Sequence, residues 1–206
     1  MNLPNKLTTI RMALVVILIA FLLVPSSWFG TLVPTLFGEV YLRYFIAAII
    51  FLVASFTDFL DGYLARKLNL ITNYGKFMDP IADKLLVNSV LIILVKPLDS
   101  FPGQIAIPLV FVVLMIGRDI VVDGFRLVAA SQNKVLAANI FGKLKTVLQM
   151  IAIPLYLLND WPFSRQISNP SFPYVSFIFM ALATLVSLIS GVIYIVQNIS
   201  VLKDPK

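Results

Sequence analysis

Neither cysteine nor histidine occurs in the 206 residues. The first absence removes disulfides, thiolate nucleophiles and thiolate-bound metals. The second removes Ser-His and Cys-His catalysis and imidazole metal sites. Charge is scarce too. Asp, Glu, Lys and Arg make up 13% of the chain, about half the share in an ordinary globular protein. Disorder and a fully water-facing surface both fit that figure poorly. Chemistry is left to carboxylates, amines, guanidinium groups and hydroxyls.

What fills the chain instead is apolar: 60% of it is hydrophobic, enough for about six spans of ~20 residues. Candidate spans lie near 10–28, 41–60, 77–96, 105–129, 137–158 and 173–197, with breaks at Pro34, Asn73–Gly75, Pro97–Gly103, Asn133 and Asn159–Pro173. The first, preceded by Lys6 and including Arg11, has the look of a secretory signal. However, Val24-Pro25-Ser26-Ser27 offers no clean cleavage site and more apolar segments follow, so it is read as span one. No linker or low-complexity tract divides the chain, and residues 1–206 are expected to form one all-α polytopic membrane domain.

Of the 16 Lys and Arg residues, all but Arg43, Lys96 and Arg165 fall on one side if six spans alternate. That is the positive-inside pattern, with both termini cytoplasmic. A net charge of +6 in so apolar a chain sets topology and meets anionic lipid or phosphorylated substrates rather than nucleic acid.

The acids are clustered. Asp58 and Asp61 share a helix face at i, i+3 near the end of span two, and Asp79 and Asp83 do so at i, i+4 near the start of span three. A connector from Lys67 to Tyr74 makes the two helices antiparallel neighbours, so the four carboxylates can converge. Only Arg66 and Lys84 lie close in sequence as counter-charges, which points to a divalent metal. Oxygen-only ligands select hard Mg²⁺, Mn²⁺ or Ca²⁺, and a carboxylate-bridged pair suits phosphoryl transfer. The plainer alternative is that these acids cap helix ends or pair with interfacial lysines.

The pattern Asp58-x₂-Asp61-Gly62-x₂-Ala65-Arg66-x₈-Gly75-x₃-Asp79-x₃-Asp83 resembles the signature of the CDP-alcohol phosphotransferases at every specified position. Chance would give those positions on the order of once in 10¹⁰ starts. The resemblance extends over most of the chain. It implies that Asp58, Asp61, Asp79 and Asp83 hold two metals, Mg²⁺ or Mn²⁺, and that Asp83 is the catalytic base. It also implies contacts to the CDP-lipid from Gly62, Ala65, Arg66 and Gly75, with Thr72 and Asn5-x₂-Thr8 as further contacts. Physical sense accompanies these positions: glycines let a nucleotide approach the backbone, Ala65 keeps the face narrow, and Arg66 can fork two phosphate oxygens. Asn5 or Thr8 can equally be read as an N-cap for span one.

In the second half, Arg118, Asp119, Asp123 and Arg126 interrupt span four, and Gly142-Lys143-Leu144-Lys145-Thr146 opens span five. Positive-inside flanking accounts for Lys143 and Lys145, but Arg118 lies in an apolar run and needs an anionic partner. Asp119 or Asp123 is one choice. The other is that Arg118, Lys143 and Lys145 bind the phosphate of a small alcohol. The resemblance favours the second, with departures at Asp119, where Glu is usual, and at Asp123, where Ser is common.

The resemblance implies transfer of a phosphatidyl group from CDP-diacylglycerol to sn-glycerol 3-phosphate with release of CMP. It further implies a homodimer in a bacterial cell membrane, its active site facing the cytoplasm. Rival readings are another acceptor (an inositol phosphate, serine or phosphatidylglycerol) or, from a different class, an ion or proton transporter using the acids as a relay.

Overall fold

The computed structural model describes residues 3–24, 35–36, 40–67, 72–96, 105–132, 136, 139–163 and 174–202; at 3, 4, 35, 36, 40, 41, 59, 61–66, 73, 76 and 202 it describes the backbone alone. Six α-helices account for most of these residues: α1 (Leu3–Leu23), α2 (Leu42–Lys67), α3 (Asn73–Val95), α4 (Leu109–Ser131), α5 (Ile140–Leu157) and α6 (Val175–Asn198). A short 3₁₀ turn, Ile199–Leu202, ends the described chain. The all-helical expectation holds, with one small addition between α1 and α2. Two-residue strands β1 (Thr35–Leu36) and β2 (Val40–Tyr41) pair antiparallel there.

Three helices, α1, α5 and α6, are long and apolar enough to cross a membrane. The other three are as long, and in α3 and α4 ionised side chains interrupt the apolar stretch: Asp79, Asp83 and Lys84 in one, Arg118, Asp119, Asp123 and Arg126 in the other. Several helices also begin or end several residues beyond the apolar runs that mark them in the sequence. Apolar periodicity locates what is buried or lipid-facing, and a helix continues past it wherever polar side chains find partners. The break expected at Asn73–Gly75 is in fact the first turn of α3. Its N-cap is Thr72, whose hydroxyl accepts the Gly75 amide at 3.1 Å. Lys67 is likewise the last residue of α2, so the connector is shorter than the sequence suggested. The breaks expected at Pro34, Pro97–Gly103 and Asn133 lie outside the described residues.

α1 packs on α2 and α3, α4 bridges α3 and α6, and α5 makes its broadest contact with α6 while also touching α2. The buried core takes the C-terminal halves of α1, α3 and α5 (Leu18, Leu91, Tyr156) and the N-terminal halves of α2, α4 and α6 (Phe51, Met115, Met180). Helices that alternate in direction put those halves at one end of the bundle and leave the other end for polar groups.

At the core end, backbone groups are tied off firmly. Arg43, at the start of α2, donates to the carbonyls of Phe21 (2.8 Å), Leu22 (2.7 Å) and Val24, closing the C-terminus of α1. Asp160 is fully buried and accepts the Val175 and Ser176 amides, each at 2.7 Å, so a carboxylate sits on the N-terminus of α6. Asn159 holds the Ile105 amide at 3.0 Å. Both Asn159 and Asp160 have positive φ, 53° and 64°, a region Asn and Asp enter more readily than most residues.

Candidate active site

The polar end divides into two groups of side chains. The first joins α1, α2 and α3. On α1, Asn5, Thr8 and Arg11 follow one another at i+3 and share a face. Thr8 donates its hydroxyl to Asp79 Oδ1 at 2.9 Å, and Asn5 Oδ1 accepts the Thr72 hydroxyl at 2.6 Å. Gly75 faces the same group. A Cβ added there would lie 3.4 Å from Thr72 Oγ1, 3.6 Å from Asp79 Oδ2 and 3.9 Å from Asn5 Oδ1. The structure thus brings together Asn5, Thr8, Thr72, Gly75 and Asp79. It does so from inside α1, so Asn5 and Thr8 are not caps of that helix.

Arg11, fully buried, makes an ion pair with Asp58. The sequence reading counted Arg11 only as a topological charge and looked to Arg66 and Lys84 for neutralisation. In the structure a counter-ion of Asp58 comes from the first helix, and Lys84 pairs with Asp123. A signal was present in the repeat Asn5, Thr8, Arg11. Asp61, Gly62, Ala65 and Arg66 occupy the last turns of α2, and their side chains lie outside the described residues. Among the described residues no three acidic side chains gather closely enough to hold a metal ion.

The second group joins α4, α5 and α6. Asp119 is held by two cations: Arg118 Nη1 donates to Oδ1 at 3.0 Å, and Lys145 Nζ reaches Oδ1 at 2.6 Å and Oδ2 at 2.5 Å. Arg118 also donates to Ser190 Oγ at 2.7 Å. Its stem lies so close to α6 that a Cβ at position 191 would stand 2.8 Å from Arg118 Cγ, which is why Gly191 is required. Asp123 pairs instead with Lys84 of α3. Arg126 lies over the Tyr194 ring, 5.7 Å from its centroid, and donates to the phenol oxygen at 3.4 Å. Lys143 is exposed and makes no ion pair among the described residues. Ser190, Gly191 and Tyr194 were not anticipated, because a hydroxyl or glycine on an apolar helix reads first as helix packing.

Asp83 stands between the groups. It accepts no hydrogen bond among the described residues, and it feels the charges of Asp58 and Arg11 on one side and of Lys145 and Asp119 on the other. A cavity of about 260 Å³ opens beside it. Asp83, Lys84, Arg118, Asp119, Lys143 and Lys145 are among the residues that line it. Across α4, an apolar groove of about 270 Å³ between α4 and α6 shares Arg118 and Val122 with the cavity.

Comparison with known proteins identifies the family. The family model for CDP-alcohol phosphatidyltransferase matches residues 1–189. A CDP-diacylglycerol–glycerol-3-phosphate 3-phosphatidyltransferase of Bacillus subtilis (strain 168) is 42% identical over 202 residues, covering 98% of this chain and 97% of its own. The protein of that name from Mycoplasma pneumoniae is 34% identical over 213 residues, covering 98% and 89%. The chloroplastic/mitochondrial one numbered 1 of Arabidopsis thaliana is 39% identical over 167 residues, covering 76% and 51%. With the family's model matching residues 1–189 and two relatives covering 98% of the chain, the protein belongs to the CDP-alcohol phosphatidyltransferase family.

Proposed function

We infer that this chain transfers the phosphatidyl group of CDP-diacylglycerol to the primary hydroxyl of sn-glycerol 3-phosphate, giving phosphatidylglycerophosphate and CMP. The observation that carries the reading is the 260 Å³ cavity with Asp83 on one wall and Arg118, Lys143 and Lys145 on the others. Its volume is below the roughly 300–1,000 Å³ of drug-sized sites, which suits a small alcohol phosphate. The names of the relatives favour the same acceptor.

In this mechanism the three cations hold the acceptor's phosphate, and its hydroxyl points to Asp83. The hydroxyl oxygen forms a bond to the phosphatidyl phosphorus while its proton passes to Asp83. The bond from that phosphorus to the CMP oxygen breaks, and its electron pair leaves with CMP. Asn5, Thr8, Thr72 and Gly75 orient the cytidine diphosphate end of the donor, with Gly62, Ala65 and Arg66 as further contacts. The apolar groove offers a place for an acyl chain.

The donor set for a metal is Asp58, Asp61, Asp79 and Asp83, and its chemistry fits a hard divalent ion: all oxygen, with Asp83 lacking a hydrogen-bonding partner among the described residues. Bound Mg²⁺ or Mn²⁺ supplies charge neutralisation at the diphosphate. Arg11 and Thr8 keep Asp58 and Asp79 in place for that role.

Six membrane crossings with both ends cytoplasmic complete the reading, as one domain over residues 1–206 in a bacterial cell membrane. Exposed apolar side chains on every helix support it, including Ile17, Leu52, Ile92, Val113, Val147 and Val192. Assembly as a homodimer rests on the family resemblance alone.

The test is CMP release by purified protein given CDP-diacylglycerol and, separately, glycerol 3-phosphate, an inositol phosphate, serine and phosphatidylglycerol. Release with glycerol 3-phosphate is expected. Release with another acceptor only would reassign the alcohol, and release with none would remove the transferase reading.

A further inference from the structure

We propose that Asp119 is a specificity-determining residue, a carboxylate that occupies the seat of the acceptor's phosphate until a phosphate displaces it. The proposal rests on the acceptor reading of the cavity given above. Lys145 and Arg118 are both largely buried, with side chains 7% and 13% exposed, and both already hold an oxyanion, the carboxylate of Asp119. An amine and a guanidinium so placed need a counter-ion whenever the cavity is without its substrate, because an unpaired buried charge is costly.

The two cations are not equally fixed. Arg118 is anchored a second time by Ser190 and wedged against Gly191. Lys145 Nζ is bonded only to Asp119 among the described residues. The exchangeable contact is therefore the one between Lys145 and Asp119. Lys143 lies two residues from Lys145 in sequence and lines the same cavity.

Competition with an internal carboxylate sets a threshold. A phosphate monoester brings about −1.5 to −2 charges and three acceptor oxygens, against one charge and two oxygens for Asp119. It can satisfy Arg118, Lys143 and Lys145 together and release the carboxylate. A neutral alcohol brings no charge, and serine brings a single carboxylate beside its own ammonium group, so either leaves the Asp119 pair closed. Selectivity for a phosphorylated acceptor then comes from the resident anion as much as from the cations.

The opposite role is that Asp119 is a brace holding Lys145 in position for the phosphate. The two roles predict effects of opposite sign. Inorganic phosphate is titrated calorimetrically into the full-length protein in nanodiscs, and into Asp119→Asn and Asp119→Glu. Displacement predicts that Asp119→Asn binds phosphate about tenfold more tightly, because a like charge beside the ligand is gone, and that Asp119→Glu stays within about twofold. Equal or weaker binding by Asp119→Asn overturns the proposal.

A second measurement needs no variant to fold. Infrared difference spectra of the unaltered protein on adding phosphate should show one carboxylate band leaving its ion-paired position, and phosphate binding without that change overturns the proposal as well. Glycerol 3-phosphate turnover separates this failure from the broader one. If the unaltered protein neither binds phosphate nor uses glycerol 3-phosphate, the acceptor cavity is lost and this role with it. If it does both while Asp119→Asn fails to tighten, only the role of Asp119 falls.

Discussion

The α1–α3 side of the polar end and the α4–α6 side are both ionic, yet among the described side chains their acids are met differently. On the first, Arg11 is the cation in contact with Asp58, while Asp79 is met by a hydroxyl and Asp83 by no hydrogen bond among the described residues. On the second, Asp119 answers both Arg118 and Lys145, and Lys143 and Arg126 remain beyond it. A carboxylate met by a hydroxyl or by no hydrogen bond is placed to take a cation, and cations that outnumber the acid between them are placed to take an anion. Two ligands of opposite charge can therefore be held a few residues apart, with Asp83 at the boundary.

The largest expected effect is on the acidic side. Excess chelator should abolish CMP release, and Mg²⁺ or Mn²⁺ should restore it; full activity in chelator would mean that Arg11 and its neighbours suffice without a metal. Next comes the boundary. Asp83→Asn should lower kcat by about 10²- to 10⁴-fold, the usual worth of a general base, with donor affinity largely kept. Near-normal turnover would remove Asp83 as the base.

On the basic side the effect is smaller and confined to one substrate. Arg118→Lys or Lys145→Ala deletes a charge-assisted bond of about 1.5–3 kcal/mol, or about 10- to 150-fold in the KM for glycerol 3-phosphate. The KM for CDP-diacylglycerol should hardly move. Lys143→Ala should have a lesser effect, since Lys143 is exposed. Equal changes in both KM values would erase the division between the sides. The smallest kinetic effect belongs to the far end. Asp160→Asn weakens the hold on the Val175 and Ser176 amides and should lower stability by about 1–3 kcal/mol, read as a drop in Tm, with kcat/KM per folded molecule unchanged.

This division was partly visible in the sequence. The shared face of Asp79 and Asp83 could be read directly from helical periodicity, whereas Asn5, Thr8 and Thr72 could be read through the family resemblance. Arg118 could be seen to need an anion, and Asp119 is that anion in the structure. What could not be read were pairings between distant helices. Arg11 looked like a topological charge; its spacing from Asn5 and Thr8 sets it on their face, but its link to Asp58 exists only once α1 lies against α2. Asp123 stood beside Arg118 in sequence but turns to Lys84 of α3. Arg43 was assigned to the outer side by charge counting, which gave no hint that it closes the end of α1.

Placing the apolar core at the opposite end of the bundle from Asp83 and the cavity has a consequence for the cell. Under the six-span reading proposed above, a proton that reaches Asp83 would be partway across the bilayer. Beyond it, Leu18, Phe51, Leu91, Ile153 and Tyr156 pack tightly, and Arg43 and Asp160 fasten the helix ends past that layer. Among the described residues no chain of ionisable groups leads through. Under the membrane reading proposed above, that packed layer among the described residues would let charged chemistry proceed at one end of the bundle without leaking an ion gradient, unlike a transporter built around the same acids.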